Sequence, residues 1–264
     1  MKQRLGKFET QFFAYAQMRR LSTVRTGDMQ EALRLSLSQE RELLSRLSRA
    51  GMIARVTRGL YLVPKQLPFG WEWTPDEASA LNTLMKEAGG RYQICGLNAF
   101  NRYGYDEQVP ARVYAYNDRI SGERTIGVIT LNLIKVDKKR LGDTEKVKTW
   151  DGQTLFYSSR VRALLDAVYD WARFGTLPRA YRWIRKDLRS VRIDPAALVK
   201  CTLRFGDVGT IRRMGVLLED EGVDGRLLER LERPLRPTSA TIPFVPGRPK
   251  RGRLNKRWGV VMNS

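Results

Sequence analysis

The sequence predicts an α+β protein: a small N-terminal unit of three helices and a β-hairpin, then a larger mixed α/β domain. Three observations carry that expectation. Apolar residues recur at helical spacing through most of the first 50 positions and stop at Gly51. A β-rich run, Met52 to Val63, follows and is interrupted at Thr57-Arg58-Gly59. Beyond Thr74, runs rich in Val, Ile, Thr, Leu and Tyr lie between Gly, Asn and Asp turns, and a series of helical periods succeeds them.

The first helix is expected over Phe8 to Leu21, with Phe8, Phe12, Tyr15, Ala16 and Met18 on one face. A short second helix spans Gly27 to Leu35 and turns Met29, Ala32 and Leu33 inward. Ser36-Leu-Ser-Gln39 is a capping box that opens a third helix: the serine hydroxyl accepts from the third helical N–H while the glutamine reaches back. Leu43, Leu44, Leu47 and Ala50 make the buried stripe of that helix. Gly51 stops it, and Met52 to Val63 forms two short strands whose turn uses Gly59 for a positive φ. Helix, helix, helix, hairpin is the order of a winged helix-turn-helix, which gives an expected domain over 1–64.

Such a unit meets DNA with its third helix in the major groove, where base edges are matched by guanidinium forks, amides and hydroxyls. Gln39, Arg41, Ser45, Arg46 and Arg49 offer those groups on helix three, and Arg55 and Arg58 flank the wing turn, where a cation meets the sugar-phosphate backbone. An alternative stands beside this: winged helices also contact proteins, and Arg41, Arg46 and Arg49 can simply solvate an amphipathic helix beside Glu40 and Glu42. The charge excess favours DNA; the two glutamates count against it.

Residues 65–75 hold prolines, a glycine, Trp71 and Trp73, and read as a packed-down linker before a C-terminal domain over 76–264. Thr74-Pro-Asp-Glu77 reads as a capping box opening a helix that runs through Ala88 to Gly89-Gly90. Strands are expected at Arg112 to Tyr116, Thr125 to Val136 and Thr154 to Tyr157. Helices are expected at Val161 to Phe174, Pro178 to Arg189, Pro195 to Phe205, Val208 to Glu221 and Gly225 to Glu232.

On the helix through Tyr181, a core stripe of Tyr181, Ile184, Leu188 and Val191 runs beside a basic stripe of Arg182, Arg185, Lys186 and Arg189. That stripe is either a second basic surface or a solvated face. Asp166 and Asp170, four apart, resemble a catalytic pair but are expected to pair with Arg162 and Arg173. Gly206, Gly209 and Gly215 lack the Gly-Lys-Ser/Thr of a phosphate loop. The Pro-rich stretch from Pro234 ends in a basic segment with Arg248, Lys250, Arg251 and Arg253, and Trp258 beyond it argues that this segment is ordered.

Composition narrows the function. Lys and Arg number 48 against 28 Asp and Glu, a formal charge of +20 that points to a polyanionic partner. The excess sits at the ends: residues 1–70 hold 13 basic and 5 acidic side chains, residues 236–264 hold 7 and none, and the long middle holds 28 and 23. No apolar run approaches the ~18 residues of a membrane span, and Met1 to Gln11 has no apolar signal core, so a cytoplasmic location is expected. Histidine is absent, which removes Ser-His-Asp, Cys-His and His-metal chemistry, and Cys95 and Cys201 lack the paired spacing of zinc ligands. No catalytic residue, metal or cofactor is assigned.

Four blocks, Arg55-Val-Thr-Arg-Gly-Leu-Tyr61, Tyr92-Gln-Ile-Cys-Gly-Leu-Asn-Ala99, Ser159-Arg-Val-Arg-Ala-Leu-Leu-Asp166 and Asn255-Lys-Arg-Trp-Gly-Val260, together resemble AbiEi-type antitoxins in order and spacing. The resemblance implies an autorepressor of a two-gene, phage-defence toxin-antitoxin operon, binding inverted repeats in its own promoter. It also implies a C-terminal domain that confers antitoxicity against a nucleotidyltransferase-like toxin without a stable complex, the type IV arrangement. Arg41, Ser45, Arg46, Arg49, Arg55 and Arg58 become DNA-contact candidates by the same resemblance.

Two other classes remain open. A DNA-guided, metal-dependent nuclease would need clustered carboxylates and a lysine, for which Asp118, Glu123 and Lys135 are scattered candidates. An RNA-binding or protein-interaction module would use the same basic surfaces on A-form shape or an acidic partner.

Overall fold

Three leucines at helical spacing, a serine cap and a glycine stop force the third helix of the N-terminal region, and the rest of that region packs on its apolar side. A computed structural model describes residues 5–67 and 73–263. The elements begin with α1 (Lys7–Met18), β1 (Thr23–Arg25), α2 (Gln30–Leu33), α3 (Leu37–Arg49), β2 (Ala54–Thr57) and β3 (Leu60–Leu62). The strands form an antiparallel sheet in the order β1-β3-β2, with Tyr61 opposite both Val24 and Arg55 and a bulge between Arg55 and Thr57. Leu43, Leu44 and Leu47 of α3 bury with Phe12, Phe13 and Met29 in one core. Burying each such side chain contributes about 1.5–3 kcal/mol.

The middle of the chain holds α4 (Glu77–Glu87), β4 (Tyr92–Ile94), α5 (Gly96–Arg102), β5 (Val113–Asn117), β6 (Gly122–Ile126), β7 (Ile129–Lys135), β8 (Thr144–Lys148) and β9 (Thr154–Ser158). Then come α6 (Arg160–Tyr169), α7 (Trp171–Phe174), α8 (Arg179–Arg189), α9 (Pro195–Phe205), α10 (Val208–Asp220) and α11 (Gly225–Glu232). The chain closes with β10 (Ile242–Pro243), β11 (Arg253–Asn255) and β12 (Val260–Met262). The fold is a mixed α+β one.

The described residues group into two compact units that interleave along the sequence. The first takes Met1–Tyr92, Ala111–Lys135 and Lys148–Leu155; the second takes Gln93–Pro110, Val136–Val147 and Phe156–Ser264. Segments expected to belong wholly to a domain over 76–264 therefore divide, and part of them groups with the N-terminal elements. Within the first unit, β7 pairs parallel with β5 and antiparallel with β6.

In the second unit, α6 packs against α5, α8 and α9, and β12 lies between a parallel β10 and an antiparallel β11. Trp258, almost wholly buried, seats against Gly215 of α10, where a Cβ would come within 2.3 Å of the indole. The packing of that indole requires the glycine.

Several expectations need correction. The run Thr125 to Val136 is not one strand: Gly127, at φ +61°, turns it into the β6–β7 hairpin. The helix expected from Val161 to Phe174 breaks at Asp170 into α6 and α7. Asp76, not Thr74, caps α4, accepting from the Ser79 N–H at 2.7 Å and from its hydroxyl at 2.6 Å. Val191 leaves the core stripe, exposed beyond the end of α8 at φ +55°. Ala32 and Met18 are exposed. The short elements β1, β4, α5, β8, β10 and β11 add to those expected. Of the expected linker, residues 68–72, Trp71 among them, lie outside the described residues; Trp73 is half-buried and its N–H donates to the Gly51 carbonyl at 2.9 Å.

Candidate nucleic-acid interface

Helix α3 is mounted from both its end and its buried side. Ser36 Oγ accepts from the Gln39 N–H at 3.3 Å while Gln39 Oε1 accepts from the Ser36 N–H at 2.9 Å, so the capping box closes as expected. Glu40 is fully buried, and its two carboxylate oxygens accept from the N–H groups of Gly27 at 2.7 Å and Met29 at 2.9 Å. It thus satisfies two donors at the start of α2, whose own N-cap, Met29, has no side-chain acceptor. Glu40 is therefore a buried brace for α2, and counts nothing against an anionic ligand.

Every N-terminal candidate, Gln39, Arg41, Ser45, Arg46, Arg49, Arg55 and Arg58, is exposed. They are not equivalent. Gln39 spends its carbonyl oxygen on the cap. Arg46 donates from Nε to Glu9 of α1 at 2.9 Å, and the same Glu9 accepts from the Gly6 N–H at 2.5 Å. Arg55 Nε donates to the Thr57 carbonyl at 3.3 Å, which lays its side chain along β2. Arg41, Arg49 and Arg58 make no hydrogen bond or ion pair among the described residues. Arg58 stands at the turn beside Gly59, whose φ of +78° closes the hairpin and whose carbonyl accepts from the Thr26 N–H at 2.9 Å.

Sequence reasoning passed over Glu9 and Arg25. The i, i+3 relation of Glu9 to the Gly6 cap is visible in the sequence; its pairing with Arg46, 37 residues away, is not. Arg25 of β1 forms a two-point ion pair with Glu87 of α4, which holds the Glu87 carboxyl below its usual range.

The second basic surface is largely occupied. Arg189 donates twice to Glu221, at 2.8 and 2.9 Å, and Arg185 donates to it at 3.1 Å and pairs with Asp220 at 3.6 Å. Arg189's hydrogen bonds hold the Glu221 carboxyl below the usual carboxylate range. Arg182 and Lys186 are exposed and make no side-chain bond among the described residues. Arg248, Lys250 and Arg251 are exposed on the loop before β11, and Arg253 is exposed at the start of that strand. Asn263 pins that loop, its amide donating to the carbonyls of Val245, Arg248 and Pro249 at 3.0, 3.3 and 3.1 Å, and Lys250 Nζ donates to the Thr241 carbonyl at 2.9 Å.

The carboxylates considered for chemistry are engaged. Arg162 Nε donates to Asp166 at 2.9 Å and Arg173 Nε to Asp170 at 3.1 Å, the two pairings expected. Gln93, Ser158 and Arg140 complete a buried network around Asp166, with Gln93 Nε2 donating to Ser158 Oγ at 2.9 Å. Asp118 accepts from the Arg91 N–H at 2.8 Å, and Glu123 pairs with Arg112 at 2.5 Å. Among the described residues no cluster of three His, Cys, Asp or Glu side chains could hold a metal. No helix among them is long and apolar enough to cross a membrane.

No family model and no curated protein matches this chain. Among solved structures it is similar to the crystal structure of the RV2827C protein from Mycobacterium tuberculosis, with a TM-score of 0.61 and 14% identity over 98% of this chain and 92% of that one. At that identity the likeness bears on the fold alone.

Proposed function

We propose that this protein is a DNA-binding transcriptional autorepressor whose first elements form a winged helix-turn-helix, with α3 as the recognition helix and the β2–β3 turn as the wing. One observation carries the reading. Arg41 and Arg49, on the helix that the Ser36–Gln39 capping box starts and that Glu40 ties to the start of α2, and Arg58 at the hairpin turn are exposed and uncommitted among the described residues. Their side chains are free to reach phosphates and base edges, at a cost of about 0.5–1.5 kcal/mol each in rotamer freedom. Gln39 and Arg46 act mainly as mounts in this reading, and Arg55 as a backbone contact.

The resemblance to AbiEi-type antitoxins supplies the biological half of the proposal. The protein binds inverted repeats in its own promoter, in the cytoplasm and at the nucleoid, and its C-terminal part counters a nucleotidyltransferase-like toxin without a stable complex. An RNA- or acidic-protein-contacting module is a second reading, favoured by the pinned loop that carries Arg248, Lys250 and Arg251 and leads into Arg253 of β11.

Full-length protein titrated into the duplex upstream of its own gene and into a scrambled duplex, at two salt concentrations, tests the DNA reading. Selective, salt-sensitive retardation that Arg41→Ala and Arg58→Ala weaken is the expected result. Equal weak retardation of both duplexes overturns it, and tighter binding to structured RNA favours the second reading. Co-expression with the neighbouring gene tests antitoxicity: relief of growth arrest is expected.

A further inference from the structure

Glu42 sits where a DNA-binding helix is least tolerant of an anion, and the reason bears on what the helix reads; the argument rests on the DNA reading above. At 3.6 residues per turn, Ser38, Glu42, Ser45 and Arg49 project within about 30° of the direction opposite the buried Glu40, Leu43, Leu44 and Leu47. Arg41 and Arg46 stand about 70° to either side. A carboxylate thus stands on the outward face, about 30° from its midline. Its natural neutraliser is Arg46, one turn on at i+4. Arg46, however, donates its Nε to Glu9 at 2.9 Å. Arg49 lies two turns on, about 10 Å along the axis. Glu42 makes no hydrogen bond or ion pair among the described residues.

A bare carboxylate between two phosphate backbones weakens binding to every sequence unless a base edge offers it a donor. Guanine and thymine turn acceptor oxygens to the major groove, and adenine sets its amino group beside the N7 acceptor. Cytosine alone presents only an amino donor. We infer that Glu42 is a specificity-determining residue that accepts a hydrogen bond from the N4 amino group of a cytosine in the operator, and that it rejects guanine and thymine there by acceptor–acceptor repulsion. Arg41 supplies attraction and Glu42 supplies rejection, the two halves of a specific interface.

Selection from a randomised duplex pool with full-length wild type, Glu42→Gln, Glu42→Ala and Arg41→Ala decides it. The wild-type set is expected to contain a position where cytosine exceeds each other base by about tenfold. Glu42→Gln moves that position towards adenine, whose N6 and N7 an amide matches. Glu42→Ala levels it and raises affinity for random duplex several-fold, because a negative charge is gone. Unchanged melting midpoints establish that the variants fold. An enriched motif that Arg41→Ala alters and both Glu42 variants leave intact overturns this inference alone. A wild type that enriches no motif overturns the DNA reading, and this inference with it.

Discussion

Helices α3 and α8 are both arginine-rich and amphipathic, yet their outer faces differ in kind. The face of α3 mixes Ser38, Arg41, Glu42, Ser45 and Arg49, so donors, acceptors and both signs of charge stand side by side. The face of α8 is cationic throughout, with Arg182, Arg185, Lys186 and Arg189, and the carboxylates at the end of α10 take two of the four. A uniform cationic face holds a polyanion without discriminating among sequences; a mixed one can read. Counting arginines along a helix therefore says little until the acids brought in from elsewhere are known.

The largest expected effect comes from dismounting α3. Glu40→Ala leaves the buried N–H of Met29 and the half-buried N–H of Gly27 without acceptors and should cost about 2 kcal/mol of stability, read as a lowered thermal midpoint. A loss under about 0.5 kcal/mol contradicts the bracing role. Next, Arg41→Ala should cost roughly 1–3 kcal/mol of preference for the operator over random duplex, measured by competition titration. Equal losses on both duplexes would reassign Arg41 to phosphate contact.

On α8 the effects are smaller. Glu221→Gln releases Arg185 and Arg189 and should cost about 1 kcal/mol of stability. Because the folded Glu221 carboxyl lies below its ordinary value of 4.5, its contribution is complete above that pH and fades as the pH falls below it. The wild-type advantage over Glu221→Gln in chemical denaturation should therefore shrink on acidification from pH 7 to 3. An advantage that is constant across that range contradicts the ion-pair account. Smallest of all, Arg182→Ala should change operator preference by less than about 0.5 kcal/mol, since a uniform cationic face carries no base information.

Much of α3 was legible in the sequence because its determinants are local. Leu43, Leu44 and Leu47 repeat at helical spacing, Ser36 and Gln39 cap each other three residues apart, and Gly59 marks the only tight turn in its hairpin. The Asp166 and Asp170 pairings were legible for the same reason, each lying within one helical turn of its arginine. What escaped depends on distant partners. Glu40 looks like surface charge until Gly27 and Met29 present their N–H groups, and Arg46 looks free until α1 delivers Glu9. The β6–β7 hairpin was hidden because Thr125 to Val136 is β-prone throughout, and only the positive φ of Gly127 breaks it. The candidate residues can thus be named from the sequence, while the division between those that partners engage and those left uncommitted needs the tertiary structure.

Whether α3 reads DNA is tested by a chemical footprint of full-length protein on the duplex upstream of its own gene, run beside Arg41→Ala. Two protected half-sites related as inverted repeats are expected, each protected within one major groove and lost in the variant. Protection spread evenly along the duplex, or identical footprints from both proteins, would contradict the assignment of α3 as the reading element.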